Sequence, residues 1–304
     1  MRSSPTPFVA ALTLVSQTLG TVASSPKCDC YQTSAGDIFA THQFLDFRNG
    51  KPTNFDAFFS ILAVDNFKGN TVNNNMVAAN VAFQNGAMSL VTTNDGSGTQ
   101  KSADMYSNPS MLYGSFRMHA QITGAAGAVA GFFTYLDAYN EQDIEILTSE
   151  GPQQIHYTTH DDNGGMTGTG NPTLNTTISS SWNEQYNTYR FDWIPAKASF
   201  YNNDSPAKHL TTAVPTKACT LNVNMWSSGE QWGGAMAEGE SATLSVQWIE
   251  AVYNGSSSAA AAAAAAPAAS RVRSLQLMMM LNPIISLNHG KLVGVVVVAR
   301  PYAR

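Results

Sequence analysis

The sequence predicts an all-β protein, a sandwich of two antiparallel β-sheets followed by a disordered C-terminal tail. Charged residues make up only 12% of the 304 residues while aromatic residues reach 10%, whereas about a quarter of an average soluble domain is charged. From about residue 35 to 253, apolar and polar side chains alternate with period two, and almost no segment shows a helical period. This combination is typical of a secreted β protein.

Four segments carry the alternation most clearly, and each has one apolar face. The apolar residues are Phe116, Met118, Ala120 and Ile122 in the first; Tyr189, Phe191 and Trp193 in the second; Leu221, Val223 and Met225 in the third; and Leu244, Val246 and Trp248 in the fourth. A sheet with one apolar face must bury it against another layer, so these strands indicate a sandwich. Trp193 and Trp248 are therefore predicted to lie in the core.

The N-terminus has the pattern of a signal peptide over residues 1–23. A basic start is followed by an apolar stretch from Phe8 to Val15 and by small residues up to Ala23. The stretch is too short to cross a bilayer, and the alternative is a buried first strand or helix. We expect a secreted protein, which could associate with a cell wall. Three triplets are then glycosylation acceptors, at Asn175, Asn203 and Asn254.

Three cysteines remain beyond the leader, at Cys28, Cys30 and Cys219. They allow one disulfide and leave one thiol. A bridge from Cys28 or Cys30 to Cys219 would tie the start of the domain to a late strand, whereas a bridge between Cys28 and Cys30 would close a strained small loop. The sequence leaves the pairing open.

The predicted main domain, residues 24–255, ends where the alternation ends. Residues 256–270 form a Ser/Ala-rich linker that cannot build a core. Residues 271–304 form a tail of unknown role. It resembles a lipid-anchor signal only loosely, because the spacer is long and Pro283, Lys291 and Arg300 interrupt its apolar segments. A disordered or imperfectly translated tail is the favoured interpretation.

The charge pattern excludes some partners. The formal net charge is -5, with 16 Lys and Arg residues, and these form no basic stripe for a phosphate backbone, so nucleic acid is not an expected partner. The sequence has no metal-ligand spacing and no glycine pattern that cradles phosphate, so neither cofactor nor metal is expected. We expect a monomer.

Three acids at alternate positions are the strongest functional signal. In an extended strand Glu141, Asp143 and Glu145 share one face, and the α-carbons of the two glutamates lie about 13 Å apart at about 3.3 Å per residue. Like charges this close raise one another's pKa, which is costly for stability. Glycoside cleavage uses such a set, because one carboxylate attacks while another donates a proton. The alternatives are a solvated acidic strand and a calcium site, and the apolar segment Val129 to Tyr135 argues against both.

Aromatic and amide side chains around this strand are typical of a sugar-binding cleft. Trp226 shares a strand face with Asn224, and Tyr139 precedes Glu141 by one alternation. Trp232 follows in a glycine-rich loop, and His156 is out of phase with its apolar neighbours. We predict substrate contacts for this set: Tyr139, His156, Asn224, Trp226 and Trp232.

The acid pattern on a buried strand resembles the signature of glycoside hydrolase family 16, most closely its fungal secreted endo-β-glucanase branch. The resemblance extends over four further segments: Tyr113 to Phe116, Ala130 to Thr134, Tyr189 to Trp193 and Asn222 to Trp226. It implies a concanavalin A-like β-jelly-roll that cleaves β-1,3 or mixed β-1,3/1,4-glucan with retention. It also implies that Glu141 is the nucleophile, Glu145 the acid/base and Asp143 their assistant. Gln142 departs from the usual aliphatic residue and needs a hydrogen-bond partner in the core.

Two other functions fit the same residues. A cell-wall glucan transglycosylase would use the same three acids, with a sugar hydroxyl in place of water. A non-catalytic carbohydrate-binding module on the same fold would not need them.

Overall fold

The computed structural model describes residues 23–24, 30–65, 73–160, 173–227, 232–255, 287–288 and 291–292. The predicted leader up to residue 22, the linker at 256–270 and most of the tail lie outside these residues, so the predictions for them stay predictions. Within the described part, no helix is both long and apolar enough to cross a membrane.

In the described part of the chain, sixteen strands form one hydrogen-bonded sheet that folds into two layers. The front layer contains, in spatial order, β14 (Thr173–Thr177), β13 (Gln154–His160), β12 (Asn140–Leu147), β11 (Val129–Asp137), β18 (Thr220–Trp226), β9 (Thr99–Ser107) and β5 (Phe59–Ile61). The back layer contains β17 (Ser205–Leu210), β16 (Lys197–Asn202), β15 (Asn187–Ile194), β10 (Met111–Gly124), β19 (Ser241–Gly255) and β8 (Ala87–Asn94), with β4 (Thr41–Asp46) on β19, β7 (Val81–Gln84) on β8 and β6 (Asn73–Met76) on β9. Among the described strands, all pairings are antiparallel except that of β6 with β9.

The remaining elements are short. They are the strands β1 (Ala23–Ser24), β2 (Tyr31–Gln32), β3 (Ile38–Phe39), β20 (Leu287–Asn288) and β21 (Lys291–Leu292), the helix α1 (Phe55–Phe58) and a 3-10 turn at Ala78–Asn80. Strands β1 to β3 form a small sheet of their own, and β20 pairs with β21.

Aromatic side chains join the two layers in the core. The ring of Phe132 on β11 lies 5.2 Å from that of Phe191 on β15, and Tyr157 on β13 stacks 4.8 Å from Phe200 on β16. Trp193 is fully buried in the same cluster. The predicted two-layer all-β sandwich is therefore confirmed, and so is the inward face of three of the four alternating segments.

The fourth segment changes phase at Trp248. Its pairing with β10 has a β-bulge beside His119, after which Ile249 takes the core position. Trp248 therefore lies on the outside of the back layer, where it stacks on the His119 ring at 5.3 Å and contacts the Phe44 ring at 6.0 Å. Trp248 is buried, as predicted, but outside the core cluster. An extra residue in one strand reverses the faces beyond it.

The structure defines the state of two of the three cysteines beyond the predicted leader. Cys219 is a buried free thiol, so of the pairings that the sequence left open, those between Cys219 and an N-terminal cysteine do not form, and Cys30 is disulfide-bonded.

Among the three acceptor asparagines, Asn254 is buried and its side-chain oxygen accepts a hydrogen bond from the Ala40 backbone, which argues against a glycan there. The Asn203 amide nitrogen, the atom that a glycan would occupy, donates to Asn187 at 2.7 Å. The side chain of Asn175 lies outside the described part.

Candidate active site

The three predicted acids lie on β12, near the middle of the front layer. Ile144 and Ile146 point from this strand into the core, so Glu141, Asp143 and Glu145 point to the opposite side. We call that side of the front layer the site face. Gln142 points inward, is fully buried and donates to the Thr134 hydroxyl at 3.0 Å. The sequence prediction of a core hydrogen-bond partner for Gln142 is confirmed.

Each acid belongs to a row of side chains that crosses the site face from strand to strand. The rows are His160, Glu141, Tyr135 and Thr220; Thr158, Asp143, Phe133, Asn222 and Tyr106; and His156, Glu145, Gly131, Asn224 and Asp104. Because paired residues in register share a face, each acid has different neighbours.

Asp143 is the acid that holds a proton. Burial raises its pKa well above the ordinary value, and the flanking charges of Glu141 and Glu145 raise it further. A hydrogen bond joins Asp143 to Glu141. Since Asp143 is protonated, it donates this bond and Glu141 accepts it, which favours the ionised form of Glu141.

The pKa values of the two glutamates are closer to each other than to the pKa of Asp143. Burial raises the pKa of Glu141 to about 7, opposed by the hydrogen bond from Asp143. Burial and the charge of Glu141 raise the pKa of Glu145 to about 7, opposed by a hydrogen bond from the Trp232 indole. Near neutral pH this set can therefore present one ionised and one protonated carboxyl group on the same face, as a nucleophile and an acid require.

Asn224 lies beside Glu145 because Gly131 stands between their strands. A β-carbon on Gly131 would come within 2.5 Å of the Asn224 side-chain oxygen, so this amide covers the glycine and leans toward β12. The oxygen is buried and has no protein partner in the described part of the chain. Trp226, half-buried, is two residues further along β18 on the same face. The predicted positions of Asn224 and Trp226 are thus observed.

The other three predicted contact residues have different settings. His156 lies in the row of Glu145, and its Nε2 bonds to Glu150 at 2.8 Å. The Trp232 ring meets the His156 ring at 4.8 Å. Tyr139 lies in the turn before β12 and is 51% exposed, so strand alternation does not govern its direction as the sequence suggested.

Asp104 on β9 was not predicted from the sequence. Burial raises its pKa to about 7, and its Oδ1 atom has no partner among the described residues. It lies next to Asn224 in the row of Glu145. Its alternation with the buried Ala103 and Met105 was the available signal, since it places Asp104 on a polar face.

His160 was also missed. Its Nδ1 lies 3.8 Å from a carboxylate oxygen of Glu141 and 3.3 Å from the Ala138 carbonyl, and burial lowers its pKa. Only the register of β12 and β13 places it there.

One group of described residues has the side-chain types of a metal site. Donor atoms of Glu141, Asp143 and His160 all lie within 4.8 Å of one another. Because Glu141 and Asp143 already share a hydrogen bond, we assign these residues to acid chemistry.

Comparisons with known proteins agree with this geometry. The family model described as "Glycosyl hydrolases family 16" matches residues 68–250, more than half of the chain. No curated protein matches the sequence significantly.

Solved structures share the fold at low sequence identity. A β-glucanase of Bacillus licheniformis has a TM-score of 0.59 at 21% identity, covering 69% of this chain and 97% of its own. The catalytic domain of an endo-1,3-β-glucanase (laminarinase) from Thermotoga petrophila RKU-1 has a TM-score of 0.58 at 14% identity, with 70% and 96% covered. A family 16 endo-glucanase from Bacteroides ovatus, in complex with G4G3G-2F-DNP, has a TM-score of 0.57 at 13% identity, with 69% and 99% covered.

Proposed function

The chain belongs to the glycosyl hydrolases of family 16, and from that premise we propose that it cleaves β-1,3 or mixed β-1,3/1,4-glucan chains internally, with retention of configuration. Glu141 is the nucleophile and Glu145 the general acid/base. The observation that supports these roles is the hydrogen bond from the protonated Asp143 to Glu141, which favours the ionised form of Glu141.

In the first step the ionised Glu141 carboxylate attacks the anomeric carbon. The bond from that carbon to the leaving oxygen breaks, and the proton of Glu145 passes to that oxygen. Asp143 donates a hydrogen bond to Glu141 before attack, which keeps the nucleophile ionised in a buried site.

In the second step Glu145, now ionised, takes a proton from water. The water oxygen bonds to the anomeric carbon, and the ester bond to Glu141 breaks. A pKa of about 7 for Glu145 suits both halves of the cycle, because the group must give a proton and then accept one near neutral pH.

The substrate class is inferred from the polar and aromatic groups of the site face. The side-chain oxygen of Asn224 and the Oδ1 atom of Asp104 are buried without a partner in the described part of the chain, and such atoms call for a ligand or water. Tyr106 and Tyr135, exposed by 37% and 40%, offer ring surface in neighbouring rows. Amide and carboxyl groups between aromatic rings suit a glucan, and the solved structures above bear names of β-glucan-cleaving enzymes.

The test is turnover of soluble β-1,3-glucan and mixed-linkage glucan by the wild type and by Glu141→Gln. We expect loss of kcat by about 10⁴-fold or more, as when a catalytic nucleophile is removed. The matched control is Glu184→Gln. It replaces an exposed glutamate between β14 and β15 and should leave kcat unchanged. Full activity of Glu141→Gln would contradict the assignment of Glu141 as the nucleophile. Inactivity of the wild type on every β-glucan would contradict the proposed substrate class.

Retention and the fate of the intermediate need separate measurements. Early products observed by NMR should carry the β-anomer, and an α-anomer would contradict double displacement. With a labelled acceptor oligosaccharide present, we expect only free reducing ends. Labelled longer chains would instead assign the protein to cell-wall transglycosylation.

We place this activity outside the cell, where the predicted leader would direct the chain. Fractionation of the native host, with detection in the medium or wall and not in the cytosol, tests this location.

A further inference from the structure

Trp232 connects the general acid/base to a second pair of side chains. Its indole hydrogen-bonds to Glu145, and indole has only one polar group, the donor Nε1–H. Its ring also lies 4.8 Å from the His156 ring at an interplanar angle of 65°, an edge-on contact. Because the two rings are in contact, the position of the His156 ring affects the direction of the indole N–H.

His156 is itself fixed by Glu150. The side chain of His156 is 7% exposed, and its Nε2 lies 2.8 Å from a Glu150 carboxylate oxygen. Because a carboxylate only accepts, Nε2 carries the proton of this bond. Across the strands, His156 is the direct register partner of Glu145.

The chain after Trp232 has its own anchors, independent of this pair. A β-carbon on the buried Gly233 would meet Val129 at 2.9 Å, so the backbone lies directly against β11. Met236 is buried in the core cluster, and its carbonyl accepts from Asn94 at 2.8 Å. Weakening the His156 pair should thus change the position of one ring and leave the fold intact.

We propose that the Glu150–His156 pair is a positioning device for the acid/base: it holds the imidazole against the Trp232 ring so that the indole N–H stays on the Glu145 carboxylate. This inference rests on the proposed function of Glu145. The hydrogen bond favours ionised Glu145, so it acts on the step in which Glu145 takes a proton from water.

Other charged and titratable groups face Glu145 and would not be altered. Glu141 and Asp143 lie on its own strand, and Asp104 lies across Asn224 on β9. A change at Glu150 therefore reaches Glu145 through His156 and Trp232 while these groups keep their places.

The experiment is the pH profile of kcat/KM on soluble mixed-linkage β-glucan. Trp232→Phe keeps an aromatic ring without the N–H, and we expect it to move the basic limb, which reports the protonated acid, upward by about 0.5 to 1 pH unit. Glu150→Gln should move it in the same direction by less. The double variant should match Trp232→Phe alone, because both changes act on one hydrogen bond.

A matched control is His42→Asn. His42 makes the same kind of pair, with Glu250 at 3.0 Å, but on the back layer, and its replacement should leave the limb in place. Thermal unfolding shows whether each variant is folded. If Glu150→Gln does not fold, His156→Gln is measured in its place.

An unmoved limb in Glu150→Gln, or a double variant that shifts by the sum of the singles, would overturn the positioning role. Absence of activity in the wild type would instead count against the proposed function.

Discussion

Replacement of Glu145 by glutamine should make the folded protein more stable at mildly alkaline pH while it removes the proposed proton donor. Glutamine has nearly the same shape and keeps hydrogen-bonding capacity but carries no charge. The gain should depend on pH, because only the ionised glutamate is penalised in the folded site.

The size follows from the pKa of the folded protein. Burial, and then the charge of Glu141, raise the pKa of Glu145 from 4.5 to about 7, so the folded state binds the proton more tightly than the unfolded state. The associated stability is complete below about pH 4.5 and is lost as the pH rises through about 7.

The difference of about 2.5 pH units corresponds to at most about 3.4 kcal/mol. Because the Glu145 side chain keeps some contact with solvent on the site face, we expect about 1 to 2 kcal/mol after screening.

Urea unfolding of the wild type, Glu145→Gln and the exposed control Glu184→Gln at pH 8 and pH 4.5 measures this difference. Glu145→Gln should exceed the wild type by about 1 to 2 kcal/mol at pH 8 and by little at pH 4.5, since a protonated glutamate resembles glutamine. Equal differences at both pH values, or a loss at pH 8, would refute the claim that the fold penalises this charge.

Three further substitutions test the site face and the core beneath it. Gly131→Ala should displace the Asn224 amide, whose oxygen lies 2.5 Å from the new β-carbon. The loss of about 1 to 2 kcal/mol of binding should raise KM for glucan by about 5- to 30-fold, and an unchanged KM would contradict the role of that amide. Asp104→Ala should raise KM by a similar factor, and steady-state kinetics showing only a kcat effect would argue against substrate contact. Gln142→Leu combined with Thr134→Val removes both partners of the buried bond and should change the free energy of unfolding by less than about 1 kcal/mol with activity retained, as checked by denaturation and turnover.

Alternation along single strands predicted much of this architecture. The inward faces of three segments, the outward acids of β12 and the inward Gln142 all follow from period two. The side on which Trp226 lies follows in the same way. These features depend on local geometry, because the order of residues in a single strand decides which face each side chain takes.

Features that depend on a partner strand were not predictable. Trp248 changes side because β10 and β19 pair with a bulge beside His119. The adjacent apolar pair Trp248 and Ile249 marks a change of phase in β19 but does not say which strand pairs there. Asp104 lies in the same row as Glu145, although two strands separate them. Sequence patterns give the faces of strands, whereas which strands adjoin is decided by long-range packing.

The two glutamates that we propose as catalytic residues illustrate the same limit within the motif itself. In sequence Glu141 and Glu145 are related symmetrically to Asp143, so the spacing alone does not say which one attacks. Their surroundings break the symmetry: Glu141 receives the Asp143 hydrogen bond. Glu145 is paired with Gly131, which the Asn224 amide covers, and receives the Trp232 hydrogen bond. If these surroundings decide the roles, Gly131→Ala should disturb the acid/base step more than attack by Glu141. Substrates with a very acidic leaving group, which need no proton from Glu145, should then be spared most of the loss.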